Sequence, residues 1–148
     1  AIITPTKADP SKPLPAARAE APGLQWPVMG RVAEAFGGTG EVHHDGIDIL
    51  AREGSLVRAA MGGKVIFAAE LMGYGNVVIV EHQGGLTTVY AHNELNLVAA
   101  GDQVGRGQEL ATVGSSGRLA GPGSTAHLHF EVRKENIARD PAYFLPPI

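Results

Sequence analysis

The sequence contains no cysteine among its 148 residues. This absence excludes disulfide bonds, thiolate metal ligands and a cysteine nucleophile. Any bound metal must therefore be held by nitrogen and oxygen atoms. Six histidines are available for that purpose, although a histidine at the surface is the more common finding.

The chain also lacks an excess of positive charge and any long apolar run. Twelve basic residues stand against fifteen acidic ones, which gives a formal net charge of −3, so we do not expect a nucleic-acid-binding protein. No apolar stretch reaches the length of a membrane span, and none has the pattern of a signal peptide. The alanine at position 1 indicates an excised or processed chain, from which an export signal or a lipid anchor could have been removed.

A convincing amphipathic helix is missing as well. The length suits one ordinary domain with its own core. Residues 1–24 contain five prolines and no apolar periodicity, so we predict a Pro/Ala-rich linker there, in part of polyproline type. A single domain is predicted over residues 25–148.

Short β-rich runs separated by glycine fill that domain. Turn signals at regular, short intervals predict a mainly β fold with antiparallel sheets. Gly62–Gly63 and Gln83–Gly85 are predicted to be hairpin turns. The predicted strands are 55–60, 63–69, 76–82, 86–93, 108–114 and 126–133.

The segment AHLHFEVR, residues 126–133, alternates between polar and apolar side chains. Residues two apart in a strand point to the same face, so His127 and His129 share a face with Glu131 and Arg133. Leu128, Phe130 and Val132 form the opposite face. We interpret the segment as a strand with its apolar side in the core and two imidazoles together on the other side.

Two other β-rich runs carry positional information. The uninterrupted apolar run 77–80 is predicted to lie mid-structure, covered on both faces. In LTTVYAHN, residues 86–93, the alternation places Tyr90 and His92 on one face. Tyr90 could stabilise an oxyanion there, although an aromatic residue on a sheet more often serves packing. His82, at a strand end, is interpreted as a structural or surface residue.

A second histidine cluster lies in EVHHDGIDIL, residues 41–50. An extended backbone would turn His44 and Asp48 to one face, with Gly46 allowing a bend, although an Asp-Gly pair is by itself typical of a plain loop. Together with one histidine of the pair His127 and His129, they would supply two imidazoles and one carboxylate. That ligand set suits zinc and leaves a fourth position open for water. The spare histidine and His92 could exchange protons or donate hydrogen bonds.

The motifs HHDGID, TVYAH and HLHFEVR, in that order, resemble the zinc peptidases of the M23 family, also called the lysostaphin-type or LytM-domain family. The resemblance extends from WPVMGRVAEAFG to RDPAYFLP and covers nearly all of residues 26–146. It implies the lysostaphin-type fold, a barrel-sandwich hybrid with a duplicated hybrid motif. It also implies a zinc-dependent endopeptidase that hydrolyses peptide cross-links or stem peptides of bacterial peptidoglycan in the cell envelope, either periplasmic or extracellular.

The resemblance assigns roles to individual residues. Its His-x-Gly-x-Asp pattern implies that His44 and Asp48 are Zn²⁺ ligands, and its His-x-His pattern implies that His129 is the third. His127 and His92 are implied to be the catalytic residues that act on the water and the transition state. His43 falls outside the pattern. The two-residue period of the strand also places Glu131 on the face of the site, where it either orients a ligand or pairs with Arg133.

Other parts of the sequence keep alternatives open. GYGNVVIVEH and YAHN also resemble the cell-wall amidase activators, lipoproteins that carry this domain without a working metal site. Because all five metal and catalytic positions are retained here, we favour the enzyme and keep amidase activation as the alternative. VAAGDQVGRGQELATVG resembles biotinyl and lipoyl carrier domains but lacks their lysine, so this likeness concerns the fold alone.

Glycine-rich loops around residues 73–75 and 114–124 are expected to form the walls of a substrate groove. The lead-in Thr125-Ala126 departs from the Gly-Pro that is usual in the family. We therefore regard substrate fit as the least transferable property. The bond that is cut stays open between a glycine bridge and a D-alanyl to diamino acid link.

Overall fold

The computed structural model describes residues 23–38, 44–117 and 125–147. The predicted linker lies outside the described residues except for its last two positions, and Leu24 packs into the hydrophobic core. The predicted boundary between linker and domain therefore stays a prediction. His43 also lies outside the described residues.

The described part of the chain contains ten strands. All of their pairings are antiparallel, so the predicted mainly β class is confirmed. No helix in the described ranges is long and apolar enough to cross a membrane. The strands are β1 (Val32–Glu34), β2 (Ile47–Leu50), β3 (Leu56–Arg58), β4 (Gly63–Leu71), β5 (Gly75–Glu81), β6 (Leu86–Asn96), β7 (Gln103–Val104), β8 (Glu109–Val113), β9 (His127–Lys134) and β10 (Ile137–Arg139).

The six predicted strands correspond to β3, β4, β5, β6, β8 and β9. The other four strands have only two to four residues each. Strands of that length are too short to show a periodic pattern, so they could not be predicted from the sequence.

The sheet follows the order β1-β2-β9-β6-β5-β4-β7, with β10 paired to β9 and with β8 joining β3 to β6. The predicted hairpin at Gln83–Gly85 is confirmed, since it forms a short 3₁₀ turn between β5 and β6. The predicted hairpin at Gly62–Gly63 is wrong, because β3 pairs with β8 and β4 pairs with β5 and β7. Gly63 instead begins β4, where a Cβ atom would overlap the carbonyl oxygen of Glu81. Glycine is needed here for close strand approach and not for a turn.

The central strands are covered on both faces. One face of β5, β6 and β9 carries Val78, Tyr90 and Phe130 into the larger hydrophobic cluster. The opposite face carries Ile79 and Val89 into a smaller cluster. The prediction that residues 77–80 are buried on both sides is confirmed, since all four are at most 1% exposed. The polar side of β9 lies on the face of the smaller cluster, because Val89 pairs with Glu131.

Candidate metal centre

Asp48 and His129 are direct neighbours across two paired strands. Asp48 of β2 stands opposite His129 of β9, so their side chains leave the same face of the sheet. Asp48 Oδ1 lies 2.8 Å from Nδ1 of His129. The small residue Ala91 of β6 stands on the other side of His129. Strand register alone therefore brings together two residues that are far apart in the sequence.

His44 joins this pair from the segment that precedes β2. Gly46 permits the approach, because a Cβ atom there would overlap the carbonyl oxygen of Phe130. Nδ1 of His44 lies 3.0 Å from the carbonyl oxygen of Ala35. A carbonyl can only accept, so Nδ1 carries the proton. Nε2 is then the nitrogen left to serve as a ligand once it is unprotonated, and it lies 3.3 Å from Oδ1 of Asp48.

The three residues form a mutually dependent electrostatic group. Burial opposes the ionised form of Asp48, but hydrogen bonds from His129 and His44 hold its pKa well below the usual range. Burial likewise disfavours a charge on His129, but hydrogen bonds to Asp48 and Glu131 raise its pKa to about 9. The hydrogen bond to Asp48 raises the pKa of His44 against the effect of burial. The electrostatics of this group thus favour a hydrogen bond from Nδ1 of His129 to Asp48.

These residues fit a single metal ion. One ligand atom from each of His44, Asp48 and His129 can be chosen so that all lie within 4.8 Å of one another. Two imidazole nitrogens and one carboxylate oxygen form a donor set that zinc uses in sites with an open fourth position. Binding would require the loss of the proton from Nδ1 of His129, so it would release protons.

His127 stands at the rim of the three candidate ligands. As the two-residue period of the strand predicts, His127 shares a face with His129. Its Nε2 lies 3.8 Å from Oδ2 of Asp48. Its Nδ1 lies 2.9 Å from the carbonyl oxygen of Thr125, so Nδ1 is the protonated nitrogen. In the neutral ring, Nε2 is therefore the acceptor nitrogen, and it faces the centre.

His92 reaches the same place by a route that alternation does not predict. The prediction that His92 shares a face with Tyr90 is wrong, because the pairing of β5 with β6 is irregular between Val78 and Asn76. His92 adopts a left-handed backbone with φ of 67°. Such a bulge interrupts the two-residue period. The His92 ring consequently lies 5.2 Å from the ring of His127 and 6.0 Å from that of His129, measured between centroids.

The loop that begins at residue 114 fixes the orientation of His92. Nδ1 of His92 lies 2.7 Å from the carbonyl oxygen of Ser116, which leaves Nε2 unprotonated. Burial lowers the pKa of His92 to about 4. A Cβ atom on Gly75 would overlap the backbone of Ser116, so the two loops predicted to form groove walls contact each other. Residues 118–124 of the second loop lie outside the described residues.

Two residues considered in the sequence serve the interior. The Tyr90 hydroxyl accepts from the backbone N–H of Ala60 and is hydrogen-bonded to Thr88. Burial raises the pKa of Tyr90 to about 12, and its ring packs on Phe130. His82 is buried, with Nδ1 bonded to the carbonyl oxygen of Gly62 and Nε2 to Thr88. The packing interpretation of Tyr90 and the structural interpretation of His82 are confirmed.

Glu131 makes both of the contacts that the sequence leaves as alternatives. Its Oε2 lies 2.8 Å from Nε2 of His129, and its Oε1 lies 2.7 Å from Nε of Arg133. The Tyr74 hydroxyl donates to the same Oε2 at 2.8 Å. Sequence reasoning missed Tyr74, because it lies in a glycine-rich loop, where the two-residue period of a strand does not apply.

With this geometry established, the sequence matches the model of peptidase family M23 over residues 42–141. The match covers more than half of the chain. The protein belongs to peptidase family M23. The resemblance predicted from the sequence motifs is thereby confirmed.

Two curated relatives of this M23 domain have names that refer to the outer membrane or to murein. Outer membrane antigenic lipoprotein B of Haemophilus influenzae is 39% identical over 82% of this chain and 29% of its own length. Murein hydrolase activator NlpD of Escherichia coli is 38% identical over 82% of this chain and 31% of its own length. The chain thus spans about a third of the length of these relatives.

Solved structures support the fold. A zinc-containing peptidase from Vibrio cholerae superposes with a TM-score of 0.73 and 32% identity, over 80% of this chain and 39% of that one. The catalytic domain of lysostaphin from Staphylococcus simulans superposes with a TM-score of 0.63 and 27% identity, over 76% of this chain and 87% of that one. The predicted lysostaphin-type fold is therefore confirmed.

Proposed function

We propose that His44, Asp48 and His129 bind Zn²⁺, and that the domain hydrolyses peptides of bacterial peptidoglycan. The convergence of three ligand atoms within 4.8 Å is the observation that carries this proposal. Bound zinc would polarise the scissile carbonyl and activate a water molecule. The similarity to a zinc-containing peptidase is in agreement with this chemistry.

His127 and His92 would act as the proton acceptors and hydrogen-bonding groups of the reaction. Nδ1 of each ring is hydrogen-bonded to a backbone carbonyl, so Nε2 is the nitrogen of the neutral ring that can accept a proton. The low pKa of His92 keeps it neutral at pH 7. A neutral imidazole can take a proton from an attacking water and, once charged, can stabilise the developing oxyanion. No cysteine or serine nucleophile is needed for this scheme.

A second candidate function is the activation of a murein hydrolase. The similarity to a relative named murein hydrolase activator favours it, and the comparisons support it better than they support hydrolysis. The resemblance of GYGNVVIVEH to amidase activators identifies a cell-wall amidase as the candidate partner. The two functions do not exclude each other, since the same domain could bind an amidase and keep a metal centre.

Both functions place the protein in the bacterial cell envelope. One relative is named as an outer membrane lipoprotein and another as acting on murein. The location predicted from the sequence is supported by these relatives. Peptidoglycan is the shared substrate environment, whether this chain cuts it or stimulates an enzyme that does.

One experiment separates the two functions. Purified protein would be assayed for bound zinc, for release of new amino termini from purified peptidoglycan, and for stimulation of an added cell-wall amidase. We expect about one zinc per chain and hydrolysis that EDTA stops and added zinc restores. A protein that binds no zinc and releases no amino termini, yet accelerates the amidase, would be an activator only. A protein with neither activity would refute both proposals.

A further inference from the structure

We propose that Glu131 is a positioning residue for the metal centre, which it serves by holding His129 through the ring nitrogen that faces away from Asp48. This inference rests on the metal site of the proposed function and adds a residue that does not itself contact the metal. Glu131 is fully buried. Its position opposite Val89 in the sheet places it on the same face as the candidate ligands.

The two oxygens of Glu131 have separate tasks. Oε2 lies 2.8 Å from Nε2 of His129 and accepts from the Tyr74 hydroxyl at 2.8 Å. Oε1 accepts from Nε of Arg133 at 2.7 Å. The carboxylate is therefore held on one side by a cation while its other oxygen is aimed at the histidine.

This arrangement decides which nitrogen of His129 can bind a metal. The carboxylate of Glu131 accepts from Nε of the buried Arg133 and from the Tyr74 hydroxyl, and its pairing with a guanidinium is the contact of an ionised carboxylate. An ionised carboxylate only accepts hydrogen bonds, so Nε2 of His129 must keep its proton. Nδ1 is then the nitrogen that can lose its proton to a metal, and it is the one that faces Asp48 at 2.8 Å. Carboxylates that fix a metal-binding imidazole in this way also make it a stronger ligand.

Arg133 explains how a carboxylate can be kept charged in the interior. The Arg133 side chain is 0% exposed and lies 3.7 Å from the carboxylate of Asp45 as well as beside Glu131. A buried charge without a partner would be costly, whereas a paired and hydrogen-bonded one is tolerated. A simple structural ion pair would need only Glu131 and Arg133. The second oxygen, directed at His129, is what a structural pair does not require.

The test compares three variants of the same chain. Glu131→Gln keeps the shape of the side chain but removes its charge, and Tyr74→Phe removes one hydrogen bond to Oε2 from a partly exposed position. Val132→Ala is the control, because Val132 is buried on the opposite face of β9 and its truncation lowers stability without touching His129. Zinc affinity would be measured for each folded protein by competition with a chelator of known affinity.

We expect Glu131→Gln to weaken zinc binding by about 10- to 100-fold, the usual effect of losing such a partner. Tyr74→Phe should weaken it by about 2- to 10-fold, as for the loss of one hydrogen bond. Val132→Ala should leave the affinity unchanged. In the zinc-loaded wild-type protein, nitrogen-detected NMR should find His129 protonated at Nε2 and bound to zinc through Nδ1, with the Nε2 proton signal shifted upfield in Glu131→Gln.

The results separate this inference from the proposed function. Zinc binding of unchanged strength in Glu131→Gln, or a zinc complex in which Nε2 of His129 carries no proton, would overturn the positioning role while leaving the metal site intact. An equal loss of affinity in Val132→Ala would reduce the effect to general destabilisation and would also overturn it. A wild-type protein that binds no zinc would overturn the metal site itself, and the inference with it.

Discussion

The two faces of β9 are both largely removed from solvent, yet they are held in different ways. On one face Leu128, Phe130 and Val132 are 0% exposed and pack in the larger hydrophobic cluster. On the other, Glu131 and Arg133 are equally buried. The first face depends on non-directional apolar contact, and the second depends on hydrogen bonds whose geometry cannot vary much.

The difference separates stability from chemistry within a single strand. Changes on the apolar face should lower the free energy of unfolding and leave the metal centre unaltered. Changes on the polar face should alter metal binding or catalysis more than they alter the fold. The predictions below test that separation, beginning with the largest expected effect.

His129→Ala should abolish zinc binding and hydrolysis. The change removes the candidate ligand that lies between Asp48 and Glu131, and the two remaining candidate ligands cannot complete the usual set of three protein ligands. Zinc content after dialysis and release of amino termini from peptidoglycan would both be measured. A variant that keeps one zinc per chain would show that the ligands are assigned wrongly.

His127→Ala should reduce hydrolysis by about 10²- to 10⁴-fold, the usual range for a lost general acid or base. Zinc binding should be retained, because His127 is not one of the three residues whose ligand atoms converge within 4.8 Å. The rate would be measured at saturating zinc, with zinc content as the control. A loss of zinc equal to the loss of rate would make His127 a ligand instead.

Phe130→Ala should lower the free energy of unfolding by about 3–5 kcal/mol, because it leaves a cavity beside Tyr90 in the core. Phe130 stands between His129 and Glu131 in the sequence but faces the other way. Denaturant unfolding would give the stability, and zinc affinity would be measured below the unfolding transition. A selective loss of zinc affinity in the folded variant would contradict the independence of the two faces.

Tyr90→Phe should lower the free energy of unfolding by about 1–3 kcal/mol, because the buried N–H of Ala60 loses its acceptor while the ring stays in place. Tyr90 is a polar exception within the apolar face, so it tests whether a hydroxyl there matters to the fold or to the site. Unfolding by urea and the rate of hydrolysis would be compared. A lower rate of hydrolysis with unchanged stability would indicate that Tyr90 stabilises an oxyanion, although its hydroxyl contacts Ala60 and Thr88 in the structure.

Much of the site could be predicted from local pattern. The two-residue period of a strand correctly placed His127, His129, Glu131 and Arg133 on one face, because β9 is regular from end to end. The same rule failed for His92, because a bulge with a left-handed residue interrupts β6. The two-residue period is reliable only where the strand pairing is regular. A single residue with a left-handed backbone, such as His92, gives no periodic signal in the sequence.

Glycine was the other source of error. The pair at 62–63 has the composition of a turn, but Gly63 meets a need for close strand approach that arises only after β4 and β5 have paired. A glycine in the sequence shows only that a side chain is absent. It does not show whether the backbone turns there or whether a neighbouring strand packs close to it.

By itself the sequence determined the residue types of the centre, the strand faces that carry them and the family that shares them, because these depend on composition, period and order along the chain. Only the tertiary structure decided the register that sets Asp48 against His129, the bulge that turns His92 inward and the contact that gives Glu131 to His129. These depend on pairing between segments that are distant in the chain. Local preferences do not specify such pairings, since they follow from which arrangement buries the apolar faces and satisfies every enclosed polar group.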